Sequence, residues 1–103
     1  MNARVTVVKR ALNEDLLQTY FPEHAGKLTA CPVFTDGQTF EIKGLFPKMP
    51  EGFCDWAWAD IQRNVAMACM GANMPSGCRF TCCSDGLRPV TFRIEAFEEA
   101  EAD

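Results

Sequence analysis

A chain of 103 residues with 48% hydrophobic side chains is sized for one domain and can build a core unaided, which excludes disorder over most of its length. The net charge of −4 is unevenly placed: Glu95, Glu98, Glu99, Glu101 and Asp103 crowd the C-terminal end with no basic residue among them, and the body before them is near neutral. Such a body offers no basic face for nucleic acid, and no apolar run approaches the ~20 residues that span a bilayer, so neither partner is expected.

Residues 4–10 alternate and are rich in β-branched side chains, which predicts a first strand. Asn13 offers an N-cap to a short helix from Glu14 to Tyr20, with acids in its first turn and Pro22 and Gly26 closing it. A loop then runs through Cys31-Pro32-Val33-Phe34. Asp36-Gly37 signals a turn into a second strand, Gln38 to Lys43, with Phe40 and Ile42 on one face. Pro47, Pro50 and their neighbouring glycines mark the next loop.

From Cys54 to Met70 apolar residues recur at 54, 57, 58, 61, 65, 68 and 69, the stripe of an amphipathic helix. Asp55 is expected to cap it, and Gly71, Asn73 and Pro75 to end it. Two further strands, Cys78 to Cys83 and Pro89 to Phe97, flank a hairpin loop at Ser84–Arg88. The order β-α-β-α-β-β implies an α+β fold: a mixed or antiparallel sheet of about four strands with two helices on one face. A single domain is expected over residues 1–97, followed by a frayed acidic tail at 98–103.

The N-terminal residues show no apolar core of a secretory signal, so a cytoplasmic location is expected, where thiols stay reduced. Six cysteines in such a compartment point to metal, redox chemistry or plain burial rather than to a disulfide framework. Helix geometry separates Cys54 from Cys69 by roughly 22 Å. Strand geometry separates Cys78 from Cys82 by roughly 13 Å. Neither pair shares a metal, whose bonds to sulfur are ~2.3 Å long. Cys82 and Cys83 are neighbours and point to opposite faces of a regular strand. What remains is Cys31 in a loop, Cys54 at a helix start, and one of Cys82 or Cys83 at a strand end. At Cys54 the free N–H groups and dipole of the helix favour a thiolate, and the adjacent Asp55 opposes it.

Cys69, inside the apolar stripe, is expected to pack in the core, and a structural role is also favoured for Cys78. No CxxC occurs, which counts against a thioredoxin-like enzyme or a zinc ribbon. His24, the single histidine, reads as a solvated loop residue. Trp58 falls in the helical stripe and Trp56 off it, so Trp56 is a candidate pocket wall or interface anchor. Asp55, Asp60, Asp85 and Arg88 are the polar groups nearest the cysteine loops. Asp85 most simply builds the turn before Gly86, and Arg88 is suited to a carboxylate or phosphate.

With GFCDWAWADI at residues 52–61 and CCSDGLRPV at 82–90, the chain resembles a family of small prokaryotic proteins with no assigned activity. A Cys-Pro-x-Phe segment at Cys31–Phe34 and the stretch Gly37–Phe40 extend the likeness over roughly residues 4 to 96. The resemblance implies no reaction; it points to Cys31, Cys54, Cys82 and Cys83, with Asp55, Asp85 and Arg88 around them.

Three functions stay open. The leading expectation is a cysteine-lined site for a metal or cluster, zinc or iron–sulfur, held by Cys31, Cys54 and Cys82 or Cys83. The second is a thiol-dependent redox protein or enzyme using Cys54. The third is a non-catalytic binding or assembly module, with self-association through Trp56 and the methionine-rich helix end around Met67, Met70 and Met74.

Overall fold

The computed structural model describes residues 1–44, 46–71 and 77–98. Within them lie β1 (Asn2–Arg10), α1 (Glu14–Tyr20), β2 (Thr39–Ile42), α2 (Asp55–Cys69), β3 (Cys78–Cys82) and β4 (Val90–Phe97), in the expected order. The strands form one sheet in the order β2-β1-β4-β3, and every neighbouring pair is antiparallel. The first and last strands are therefore the central ones.

Alternation decides which face of this sheet is apolar. Ala3, Val5 and Val7 of β1 are fully buried, and the register places Val5 beside Phe40 of β2 on one side and Ile94 of β4 on the other. α2 lies across this face and adds Ala57, Ile61, Val65, Ala68 and Cys69 to the same core. Each fully buried Val, Ile or Phe stabilises by about 1.5–3 kcal/mol relative to exposure. The opposite face is charged where β2, β1 and β4 run side by side: Arg4 sits 3.3 Å from Glu41 and 3.8 Å from Glu95, above the ring of Phe97.

The two helices contribute unequally. α2 spans the sheet, whereas α1 buries Leu17 outside the main cluster. One expected cap stands in place without a side-chain cap bond, and the other needs correction. Asn13 does hold the N-cap position of α1, but its side chain makes no cap bond; its Nδ2 donates instead to Gly86 O at 2.6 Å. Cys54, in extended conformation, is the N-cap of α2, and Asp55 is the first helical residue, where its charge acts on the helix dipole rather than as a cap. Gly71 follows the helix end as expected. Asn73, Pro75, Met74 and the tail beyond Glu98 lie outside the described residues.

Antiparallel pairing gathers the end of β1, the start of β2, the end of β3 and the start of β4 at one edge of the molecule. α2 also begins there, because Asp60 Oδ2 accepts a 2.8 Å hydrogen bond from the Ser84 backbone N–H just beyond β3. That edge carries the cysteine loops. Among the described residues no helix is long and apolar enough to cross a membrane.

Candidate functional site: a thiol-lined cleft

Each cysteine loop is tied to one cluster of aromatic rings. Phe34 follows Cys31 by one turn of loop and is buried edge-on against Phe40, Phe53 and Phe92, with ring centroids 6.0, 5.0 and 5.3 Å away. Phe53 directly precedes Cys54 and packs on Phe40 at 4.9 Å and Trp58 at 5.9 Å. Three segments remote in sequence thus share one apolar floor, and the residues beside the rings are carried to a common place.

Polar ties complete the positioning. Arg10 Nη1 donates to the carbonyl of Cys31 at 3.0 Å while its Nε donates to Asp36 Oδ1 at 3.0 Å, which pins the Cys31 loop to the end of β1. Gly52 holds a φ of 83° immediately before Phe53 and Cys54, a conformation that glycine adopts without strain. Cys83 donates its N–H to Val90 O at 3.1 Å, and Val90 returns its own N–H to the sulfur of Cys83 at 3.3 Å. In a regular ladder that N–H would go to a carbonyl; here the sulfur takes it.

Between these segments lies a cleft of about 390 Å³ lined by Cys31, Cys54 and Cys83, with Trp56, Asp85 and Arg88 at its walls. Its size falls within the ~300–1,000 Å³ of small-molecule sites. Cys83 therefore joins the site and Cys82 does not: Cys82 is exposed and points to the opposite, open face of the sheet, as alternation along the strand requires. Asp55 also stands apart from the cleft lining, and Asp60, one helical turn and more further along α2, lines it instead. Asp85 builds the turn, its Oδ1 accepting from the N–H groups of Leu87 at 2.9 Å and Arg88 at 3.0 Å. Its other oxygen is 3.8 Å from Arg88 Nε, too loose a pairing to occupy the guanidinium fully.

The remaining cysteines have other roles. Cys69 is buried against Ile42, whose carbonyl lies 3.8 Å from its sulfur, and burial pushes its thiol above the usual range. Cys78 lies on the open face near Arg93, whose guanidinium is held above its ordinary value by a hydrogen bond with Cys78 and by neighbouring Glu95. His24 is solvated, its Nε2 3.9 Å from Glu23. All six cysteines are free thiols.

Among the described residues no three His, Cys, Asp or Glu side chains stand close enough to hold a metal ion together. The cleft thiols line one space without forming a ready-made ligand set. A larger trough of about 560 Å³ runs along the solvent face of α2, but among the described residues only α2 lines it and none of its lining residues is a cysteine. The smaller cleft has the chemistry.

Sequence reasoning missed Arg10, which reads only as the last residue of a strand, and the sulfur–amide bond between Cys83 and Val90. No family model, curated protein or solved structure matches this chain.

Proposed function

We propose that the cleft is a two-thiol exchange site for a small disulfide, with Cys54 as the attacking sulfur. The observation that carries this reading is the convergence of Cys31, Cys54 and Cys83 on one cleft, with Cys54 at the N-cap of a 15-residue helix. Cys54 stands at the helix start, where backbone N–H groups lack intrahelical partners, and the thiolate is the nucleophile in exchange.

The chemistry runs in two balanced steps. The Cys54 thiolate attacks one sulfur of the ligand, forming a mixed disulfide and expelling the other sulfur as a thiolate. Cys31 or Cys83, as thiolate, then attacks the Cys54 sulfur; an internal disulfide forms and the second ligand thiolate leaves. Two electrons pass from the protein dithiol to the ligand. Trp56, 82% exposed, offers a flat wall to an apolar ligand body, and Arg88 offers a partner for a ligand carboxylate.

Dithiobis(nitrobenzoate), an aromatic disulfide bearing carboxylates, is a suitable probe. The expected result is a fast phase that releases both nitrothiobenzoate groups, is lost in Cys54→Ser, and stops at a stable mixed disulfide when the resolving cysteine, Cys31 or Cys83, is replaced by Ser. Reaction of every accessible thiol at one common rate would overturn the reading.

A second reading keeps the metal. Three thiols from three segments are the soft donor set that zinc or an iron–sulfur cluster takes, provided the Cys31 and 83–88 loops close on it. Competition for zinc against a chromophoric chelator tests it: tight stoichiometric binding lost in Cys31→Ser, Cys54→Ser and Cys83→Ser supports it, and binding unchanged by these substitutions removes it.

A further inference from the structure

β3 is an outer strand, and the phase of its hydrogen bonds is set by the bond from Cys83 N–H to Val90 O. Residues alternate along an antiparallel strand, so Thr81 and Arg79 also turn their backbone groups toward β4. The N–H and C=O groups of Cys78, Phe80 and Cys82 therefore point outward, and among the described residues no strand pairs with them. Their side chains stand on the open face of the sheet, away from α2; Phe80 is 61% exposed and Cys82 is exposed too.

Folded proteins protect such an edge with charges, proline or a bulge. The other outer strand, β2, follows that rule: Glu41 is ion-paired with Arg4 at 3.3 Å, and Lys43 follows the strand directly. β3 carries no charge on its open face, no proline and no register shift toward β4.

The strand is also complementary to itself. Cys78-Arg79-Phe80-Thr81-Cys82 places a cysteine at each end of a central Phe80. A two-fold axis through Phe80, perpendicular to the sheet, sets Phe80 against Phe80 of the partner subunit and Cys78 against Cys82 of the partner subunit. Arg79 then faces Thr81 of the partner subunit, so no like charges are opposed. Every outward N–H and C=O of these residues meets a counterpart, and the two sheets become one.

From this we infer that β3 is the self-association edge of the protein, joining a second copy of the chain through antiparallel β3–β3 pairing centred on Phe80. The occupant is a second copy because the free backbone groups, the apolar side chains and the placement of Arg79 are all matched by the same strand inverted. An edge of five residues makes a small interface, so the dimer is weak and concentration-dependent. It uses none of the cleft cysteines, so it stands or falls independently of the exchange reaction.

Directly opposed residues of a hydrogen-bonded pair have Cα atoms about 5.5 Å apart, inside the ~4.4–6.8 Å span that a disulfide bridges. Cross-linking therefore reads the register. Diamide, which takes two electrons and two protons from a thiol pair, is applied to Cys78→Ser, to Cys82→Ser, and to an equal mixture of the two. The expected result is a covalent dimer in the mixture, joined through Cys78 of one chain and Cys82 of the other by peptide mapping, and no such link in either variant alone. Sedimentation of the untreated protein should show a dimer that grows with concentration and that Phe80→Lys shifts to monomer while leaving the melting temperature within a few degrees. A monomer at every concentration, or cross-links that map elsewhere with equal yield, would overturn the inference.

Discussion

Replacing Phe34 by alanine tests how the cleft is held. Phe34 is 1% exposed and touches Phe40, Phe53 and Phe92 edge-on, so its removal deletes a buried ring at the point where the Cys31 loop joins the core. Buried Phe→Ala changes cost about 3–5 kcal/mol, of which each lost ring contact accounts for roughly 0.5–1.5 kcal/mol. Against a domain stability of about 5–15 kcal/mol that is a large share, and at roughly 4–8 °C per kcal/mol the melting temperature should fall by about 12 °C or more. Chemical denaturation measures the loss directly. Phe46→Ala is the control: that ring is 88% exposed and its loss should stay within about 0.5 kcal/mol. Because Phe34 also anchors the loop, iodoacetamide should modify Cys31 faster in Phe34→Ala under native conditions, while Cys83, held by Val90, keeps its rate. A loss below about 1 kcal/mol, or an unchanged rate at Cys31, would refute the reasoning that the ring cluster positions the site.

Cys83→Ala should cost about 1–2 kcal/mol, because it leaves the Val90 N–H without its sulfur acceptor, and Cys83→Ser should recover part of that in urea melts. Asp60→Ala removes the acceptor for the Ser84 N–H; at this exposed position about 1 kcal/mol is expected, with Asp60→Asn milder. Burial raises the Cys69 thiol, so the native state keeps its proton where the unfolded state loses it. Stability should therefore fall as pH rises from the unfolded thiol value, about 8.5, toward the native one, and Cys69→Ala should flatten that part of the pH–stability curve.

Much of the fold was legible in the sequence because it rests on local periodicity. The alternation of Phe40 and Ile42, the apolar stripe of α2, and the Asp85-Gly86 turn each report the face that must be buried or the bend that must form. The same alternation states that Cys82 and Cys83 face opposite ways, and the structure shows Cys83 on the cleft side. The helix starts were less legible. Asp55 and Asn13 are both good capping types, yet Cys54 takes the cap position of α2 and Asn13 spends its amide on Gly86 across the molecule, a tertiary contact that no local pattern encodes. The Cys31 loop is the clearest case. Its path is fixed by Phe34 entering the ring cluster and by Arg10 reaching its carbonyl, both long-range interactions, so its nearness to Cys54 and Cys83 could be suspected from cysteine spacing but not placed.

The most direct test of the central claim, that Cys31, Cys54 and Cys83 converge while Cys78 and Cys82 do not, is protection by phenylarsine oxide, a trivalent arsenical that bridges two nearby thiols. The reduced protein is treated with the arsenical, then alkylated, and each cysteine is quantified by peptide mass spectrometry. A pair drawn from Cys31, Cys54 and Cys83 should be protected together, with Cys78 and Cys82 alkylated as in untreated protein. Protection confined to Cys78 or Cys82, or none at any site, would contradict it.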